Sequence, residues 1–505
     1  MTDAPAQDSS TLLRTGIQGL DEVLCGGLVP NRLYLIEGNP GAGKTTLALQ
    51  FLLAGARLGE QCLFVALSES EEELRDSVQS HGWTLDGLHI LEIIASEEAL
   101  NPDARYTMYH SSEVELIETT KAMLAEAERI QPTRLVFDSL SELRLLAENP
   151  LRYRRQILAL KQHFSRQQCT VLFVDDRAGE ARDMHLHSLA HGVLSLECET
   201  PEYGTMRRRL QVNKLRGRAF REGYHDVVIR HGGIEVFPRL VATEHPKTYA
   251  RQTISSGLEA LDTLLGGGLA KGTSTLILGA AGTGKSSLAT QYAWTEAVRG
   301  EHAALFLFDE TMATHLERSA GLGMDLVPLI ETGRLSMRQV DPAELSPGEF
   351  AHNLRQVVDQ NQTRLVVIDS LNGYLNAMPS ERFLMLHLHE LLTYLGQQGV
   401  TTLLLMAQHG LIGSSMQVPV DASYLTDTVL LLRYFEAFGK IRQGISVIKK
   451  RTGKHERTIR ELYFNQGITV GEPLQDFQGV LTGSPQFVGH GLNGANRSDE
   501  RPANT

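Results

Sequence analysis

Gly38-Asn39-Pro40-Gly41-Ala42-Gly43-Lys44-Thr45 and Gly279-Ala280-Ala281-Gly282-Thr283-Gly284-Lys285-Ser286 decide how this chain is read. Both fit G-x-x-x-x-G-K-[ST], and each stands between a short apolar run (Leu33 to Glu37; Thr275 to Leu278) and a helical pattern. Glycines in such a loop turn backbone N–H groups inward onto phosphate oxygens, and the helix that follows adds its positive dipole end. The lysine reaches the β- and γ-phosphates, while Thr45 or Ser286 offers a hydroxyl to Mg²⁺. Gly38, Gly41, Gly43, Lys44, Thr45 and Thr46 make the first predicted cradle. Gly279, Gly282, Thr283, Gly284, Lys285, Ser286 and Ser287 make the second. Two matches, each between strand and helix, predict two nucleoside triphosphate sites.

Working outward, the offset of 241 residues from Lys44 to Lys285 carries Leu20-Asp21 onto Leu261-Asp262 and Gly26-Gly27-Leu28 onto Gly267-Gly268-Leu269. It also carries Glu69 onto Glu310 and Gly82 onto Gly323, with no gap. Self-similarity at so long a period marks duplicated domains, and 505 residues give each copy enough chain for a full core. We read residues 1–245 as a first domain, 246–472 as a second and 473–505 as a C-terminal loop and flexible tail. The joint falls in the polar stretch Thr243 to Thr253. Apolar strand-like runs alternate with amphipathic stretches in each copy. That predicts an α/β fold with a mostly parallel sheet and helices on both faces.

Acidic residues end the strands around each cradle. Leu135-Val136-Phe137-Asp138 and Leu365-Val366-Val367-Ile368-Asp369 deliver an aspartate to the carboxyl edge of the sheet, where Asp138 and Asp369 are placed to hold the Mg²⁺ shell. Phe64 to Glu69 and Leu305 to Glu310 end in Ser68-Glu69 and Asp309-Glu310, and a carboxylate there faces the γ-phosphate and can orient a nucleophile. The run Glu71-Glu72-Glu73 reads as the first turn of a helix. Late in each copy come Lys214-Leu215-Arg216-Gly217 and Lys449-Lys450-Arg451-Thr452. With Arg207, Arg208, Arg209, Arg218 and Arg221 the first resembles a nucleic-acid patch. Recurrence at the same strand end in both copies favours another reading, a cation inserted into a neighbouring subunit's nucleotide site within a ring.

A net charge of −12 disfavours generic nucleic-acid binding, which draws most of its affinity from neutralising phosphates. The candidate pore segments, around Ala178 to His191 and Leu411 to Ala422, are short, and the second carries no lysine or arginine. No signal peptide and no bilayer-length apolar run is evident, so a cytoplasmic location is expected. The four cysteines (Cys25, Cys62, Cys169, Cys198) have no C-x-x-C spacing and read as reduced, buried thiols.

With these motifs in place, the chain resembles the KaiC family, a branch of the RecA-like ATPases, from Thr15 to Pro485. Lys214-Leu215-Arg216-Gly217, Gly233 to Pro238, Ser255 to Asp262 and Thr426 to Leu432 carry the likeness most specifically. The resemblance implies two tandem RecA-like P-loop NTPase domains in a double-ring homo-hexamer, with ATP and Mg²⁺ bound between subunits. It further implies a slow ATPase in the first domain and a serine/threonine autokinase and autophosphatase in the second, acting as a signalling or circadian-type timing switch. The family's catalytic glutamate pairs fall on Ser68-Glu69 and Asp309-Glu310; Lys214, Arg216, Lys449 and Arg451 fall on its trans-acting cations. Its phosphorylated Ser-Thr pair falls on Ser423-Tyr424, which leaves Ser423 as the expected single phosphoacceptor; the first copy has His187-Ser188 there. Leu474 to Pro485 resembles the family's regulatory loop, and beyond Gln486 the tail pattern is lost, so no KaiA-like activator is expected there. A KaiB-like or other signalling protein partner remains compatible with the first ring. Two alternatives stay open: a ring ATPase that remodels or signals to partners without a kinase cycle, and a DNA-acting RecA-type motor.

Overall fold

The apolar runs become strands buried along nearly their whole length, because helices cover both faces of each sheet. A computed structural model describes residues 12–93, 111–147, 149–176, 184–202, 204–376, 381–408, 422–481 and 486–488. The chain divides into two compact units, Met1–Arg239 and Leu240–Thr505.

In the first unit the strands are β1 (Leu33–Gly38), β2 (Cys62–Ala66), β3 (Leu88–Glu92), β4 (Arg134–Asp138), β5 (Thr170–Asp176), β6 (Gly192–Glu199), β7 (Arg207–Leu215), β8 (Tyr224–Arg230) and β9 (Gly233–Phe237). They form one sheet in the order β3-β2-β4-β5-β1-β6-β7-β8-β9. Pairing is parallel from β3 to β6 and antiparallel from β6 to β9. Successive strand residues face opposite cores. Tyr34 and Ile36 pack with Leu47, Ala48 and Phe51 of the helix Lys44–Ala56. Leu33 and Leu35 pack with Met123, Ile157 and Phe164 of the helices Ser111–Ile130 and Pro150–Arg166.

The second unit opens with a short ribbon, β10 (Thr253–Ile254) and β11 (Leu269–Ala270). Its main strands are β12 (Ser274–Gly279), β13 (Ala303–Leu307), β14 (Leu335–Gln339), β15 (Leu365–Asp369), β16 (Thr401–Ala407), β17 (Thr428–Ala437), β18 (Lys440–Lys450), β19 (Ile459–Phe464) and β20 (Ile468–Pro473). Their order, β14-β13-β15-β16-β12-β17-β18-β19-β20, repeats the first sheet strand for strand. Two tandem RecA-like α/β domains are therefore present.

Three local features complete the picture. Arg134 is buried at 1% exposure on β4, where it makes a two-pronged ion pair with Glu60 (2.6 and 3.1 Å) and donates to the carbonyls of Arg14 and Phe51. Every direction of its fork but one is thereby answered. Beyond Gly471 the described residues include an antiparallel pairing of Phe477–Gln478 with Gln486–Phe487, and Phe477 and Phe487 pack edge-on against each other and Phe438. All four cysteines are free, but only Cys62 and Cys169 are buried. Cys25 is exposed in a left-handed turn (φ 53°) that follows the helix Leu20–Val23, and Cys198 lies near the sheet rim, half-buried. The expectation of four buried thiols is corrected accordingly. Among the described residues no helix is long and apolar enough to cross a membrane.

Candidate functional site

Both P-loops run directly from a central strand into a helix, and the residue before each helix is a glycine in the left-handed region (Gly43, φ 99°; Gly284, φ 94°). A Cβ on Gly284 would lie 2.0 Å from Phe464 Cζ, and one on Gly43 would lie 2.6 Å from Ile229 Cδ1. Conformation and space both demand glycine there.

In the first loop, Lys44 is buried, donates to the carbonyls of Gly38 (3.1 Å) and Asn39 (2.9 Å), and pairs with Asp176 Oδ1 at 2.9 Å. Asp176 ends β5 opposite Gly38. Thr45 Oγ1 donates to Asp138 Oδ2 at 2.6 Å. Burial pushes the Asp138 carboxyl up to about 6; the Thr45 bond opposes this and the nearby Glu69 charge adds to it. Glu69 stands at the exposed rim beyond β2, its carboxyl raised by partial desolvation and by Glu73. Among the described residues no cation pairs with it. Ser70 and Glu73 form a reciprocal cap on the helix Glu71–Ser80, which accounts for the acidic run. Thr46 is half-buried in the first helical turn.

In the second loop, Lys285 donates to the carbonyls of Gly279 (3.0 Å) and Ala280 (2.8 Å) and is held below its ordinary value by burial. Ser286 hydrogen-bonds Asp369, whose carboxyl burial raises. Thr283 turns its hydroxyl inward to the Ala280 carbonyl at 2.9 Å, bracing the loop itself, and Ser287 is buried behind it. Asp309 accepts from Ser370. The paired hydroxyl and carboxylate oxygens at each site, Thr45 with Asp138 and Ser286 with Asp369, suit a hard divalent cation such as Mg²⁺.

The surroundings of Glu310 differ from those of Glu69. Glu310 Oε1 accepts from Arg318 at 2.6 Å, and Oε2 lies 3.2 Å from Nδ1 of His315, which is 1% exposed. The far ring nitrogen of His315 meets Thr290 Oγ1 at 2.9 Å. Neither His315 nor Arg318 was singled out from the sequence, nor was Asp176. The i,i+3 spacing of His315 and Arg318 in the helix that follows Glu310, and the double acid Asp175-Asp176, were the available signals.

The KaiC ATPase family model matches residues 13–241 and again 254–475. The chain belongs to the KaiC ATPase family. It is 26% identical over 492 residues to the circadian clock protein KaiC3 of Synechocystis sp., covering 95% of this chain and 96% of that protein. It is 27% identical over 484 residues to the circadian clock oscillator protein KaiC of Picosynechococcus sp. (94% and 92% covered). It is also 27% identical over 495 residues to that of Thermosynechococcus vestitus (96% and 94%).

The remaining residues that the KaiC likeness singled out lie at the far edge of each sheet. Thr428 at the start of β17 pairs with Thr275, and Leu432 pairs with Gly279. Ser423 precedes that start, which at about 3.3 Å per residue lies about 13 Å along the sheet from its own P-loop. Its turn is held from behind: Lys449 donates to the carbonyls of Ser423 and Thr426 (2.7 Å each), and Arg451 to that of Tyr424 (2.8 Å). The first domain repeats the arrangement, with Lys214 on the carbonyls of His187 and Ala190 and Arg216 on that of Ser188. Among the described residues, the carbonyls that these four cations hold all lie outside their own domain's cradle. The arginine cluster of the first domain is also spread out: Arg208 donates to the Gly41 carbonyl at the P-loop end of β7, while Arg221 pairs with Glu22. Residues 177–183 and 409–421, which hold most of the candidate pore segments, lie outside the described residues, as do 489–505.

Proposed function

We propose that this KaiC-family ATPase works as a homo-hexameric ring that hydrolyses ATP at its first domain and phosphorylates itself on Ser423 through its second. The observation that carries the reading is the place of Ser423, at the sheet edge away from its own P-loop and braced by Lys449 and Arg451. An acceptor so placed is served by the nucleotide of an adjacent subunit, as are the cations beside it. Gly38 to Thr46 and Gly279 to Ser287 would hold the phosphates, with Lys44 and Lys285 on the β- and γ-oxygens. Thr45, Asp138, Ser286 and Asp369 would hold Mg²⁺, which when bound draws charge from the bridging phosphate oxygens. Glu69 would orient water at the first site. Glu310, with Asp309 beside it, would accept the Ser423 hydroxyl proton at the second. Lys214, Arg216, Lys449 and Arg451 would meet transition-state charge across the subunit boundary.

The reading supports a signalling or timing switch in the cytoplasm, with a KaiB-like or other protein partner and no nucleic acid. Intact-mass and phosphopeptide analysis after incubation with Mg·ATP tests it. One added phosphate on Ser423, absent from Ser423→Ala, is expected; ATP turnover without any added phosphate overturns the kinase assignment. The second reading, a ring ATPase signalling to partners without a kinase cycle, is favoured by one observation, the Arg318 guanidinium seated on Glu310 Oε1 at 2.6 Å.

A further inference from the structure

The hydroxyl of Thr290 donates to the Ser286 carbonyl at 2.8 Å, so toward His315 it must accept. That fixes the proton of the neutral ring on Nε2 and turns the Nδ1 lone pair outward. Arg318 fills that direction: its NH2 donates to Nδ1 at 3.1 Å while NH1 donates to Glu310 Oε1 at 2.6 Å. The guanidinium thus bridges acid and imidazole, and a hydrogen-bonded line runs from the P-loop helix through Thr290, His315 and Arg318 to Glu310. One oxygen or nitrogen each of Glu310, His315 and Asp369 lies within 4.8 Å of the others, and Arg318 brings the positive charge to that group.

Among the described residues the first domain has no counterpart of this line. The helices Glu71–Ser80 and Met312–Gly321 superpose on the 241-residue offset, which places Leu74 where His315 stands, Ser77 where Arg318 stands and Leu49 where Thr290 stands. Leu74 and Leu49 are fully buried. The same two helical turns are an apolar contact in one copy and a polar clamp in the other.

We infer that Arg318, seated on His315, restrains Glu310 and slows second-site turnover by neutralising the charge the acid needs to draw a proton from its nucleophile. A carboxylate with a guanidinium on one oxygen is a weaker base and is fixed in direction. His315 and Arg318 act through Glu310 and are positioning residues. The inference rests on the proposed role of Glu310, and the experiment separates the two.

Phosphate release from Mg·ATP is measured on the full chain carrying Glu69→Gln, so that the second site dominates, and then with Glu310→Gln, Arg318→Gln or Arg318→Lys added. The expected result is loss of turnover with Glu310→Gln. Arg318→Gln should raise kcat about fivefold with KM within about twofold, the size of a partly exposed ion pair, and Arg318→Lys should return kcat toward the parent. A merely structural arginine would lower kcat and the melting temperature together on removal, so a gain rescued by lysine is specific to restraint. A fall or no change in kcat with Arg318→Gln, while Glu310→Gln is inactive, overturns the clamp alone. Full turnover with Glu310→Gln overturns the role of Glu310 and the clamp with it.

Discussion

The two nucleotide sites of this chain have the same strands, the same loop and opposite electrostatics. In the first domain the P-loop lysine carries the ion pair, Lys44 with Asp176, and among the described residues no cation pairs with the acid Glu69. In the second, among the described residues, the lysine's hydrogen bonds go to two carbonyls, and it is the acid, Glu310, that is ion-paired. The difference comes from a few strand-end and helix positions. Asp176 pairs with Gly38 where Ala407 pairs with Gly279, and Leu74 becomes His315. Duplication kept the scaffold, because its buried strands tolerate little change, and moved the charge at the rim, where one substitution costs little stability.

The sharpest way to break that comparison is to remove each lysine in turn. Lys285→Ala should reduce phosphate incorporation by about a thousandfold while the first site still binds nucleotide, as loss of a transition-state cation does at its strongest. Intact mass combined with counts of bound nucleotide checks it; phosphate persisting in that variant breaks the assignment of the kinase to the second domain.

A second contrast is in the cores. Arg134 begins β4 opposite Cys62, whereas Leu365 takes that place opposite Ala303 in the second sheet. Arg134→Ala strands Glu60 and should destabilise the first domain by about 3–5 kcal/mol, leaving the second domain's unfolding transition in place. Calorimetry of the full chain resolves the two; a single lowered transition would show instead that the domains unfold as one.

A third test uses pH. Burial disfavours the charge of Asp138 and lifts its carboxyl to about 6. Its proton must leave before the carboxylate can hold a cation. Mg²⁺-dependent nucleotide affinity at the first site should therefore be full above pH 6 and fall about tenfold per unit below it. Fluorescent-nucleotide titrations from pH 5 to 8 read this directly. An affinity flat across that range would remove Asp138 from the cation's shell.

The smallest effect concerns Tyr424, whose side chain is 56% exposed beside Ser423. Tyr424→Phe should leave phosphate incorporation unchanged. A loss of half or more would make the phenol a second acceptor and restore a paired site to the second domain.

Much of this was legible in the sequence. The P-loops and the strand-ending Asp138 and Asp369 are local patterns, set by residues next to one another in the chain, and the 241-residue repeat shows because each of its matched pieces is local too. What escaped was set by register. Asp176 meets Lys44 only because β5 lies beside β1, and a strand alignment across more than a hundred residues leaves no local trace. Arg318 and His315 look like ordinary helical residues until the helix is laid against Thr290. The exposure of Cys25 depends on a left-handed turn at a non-glycine position, which composition does not announce.

The brace behind Ser423 has a mechanical side. Lys449 spends its ammonium on the carbonyls of Ser423 and Thr426, and Arg451 spends a prong on that of Tyr424. On the proposed reading, each of these bonds given up as a cation turned toward a neighbour's phosphate would cost about 1 kcal/mol. Grip and release would then be coupled: a subunit whose cations turn to its neighbour's nucleotide would loosen the turn that carries Ser423 in the same movement.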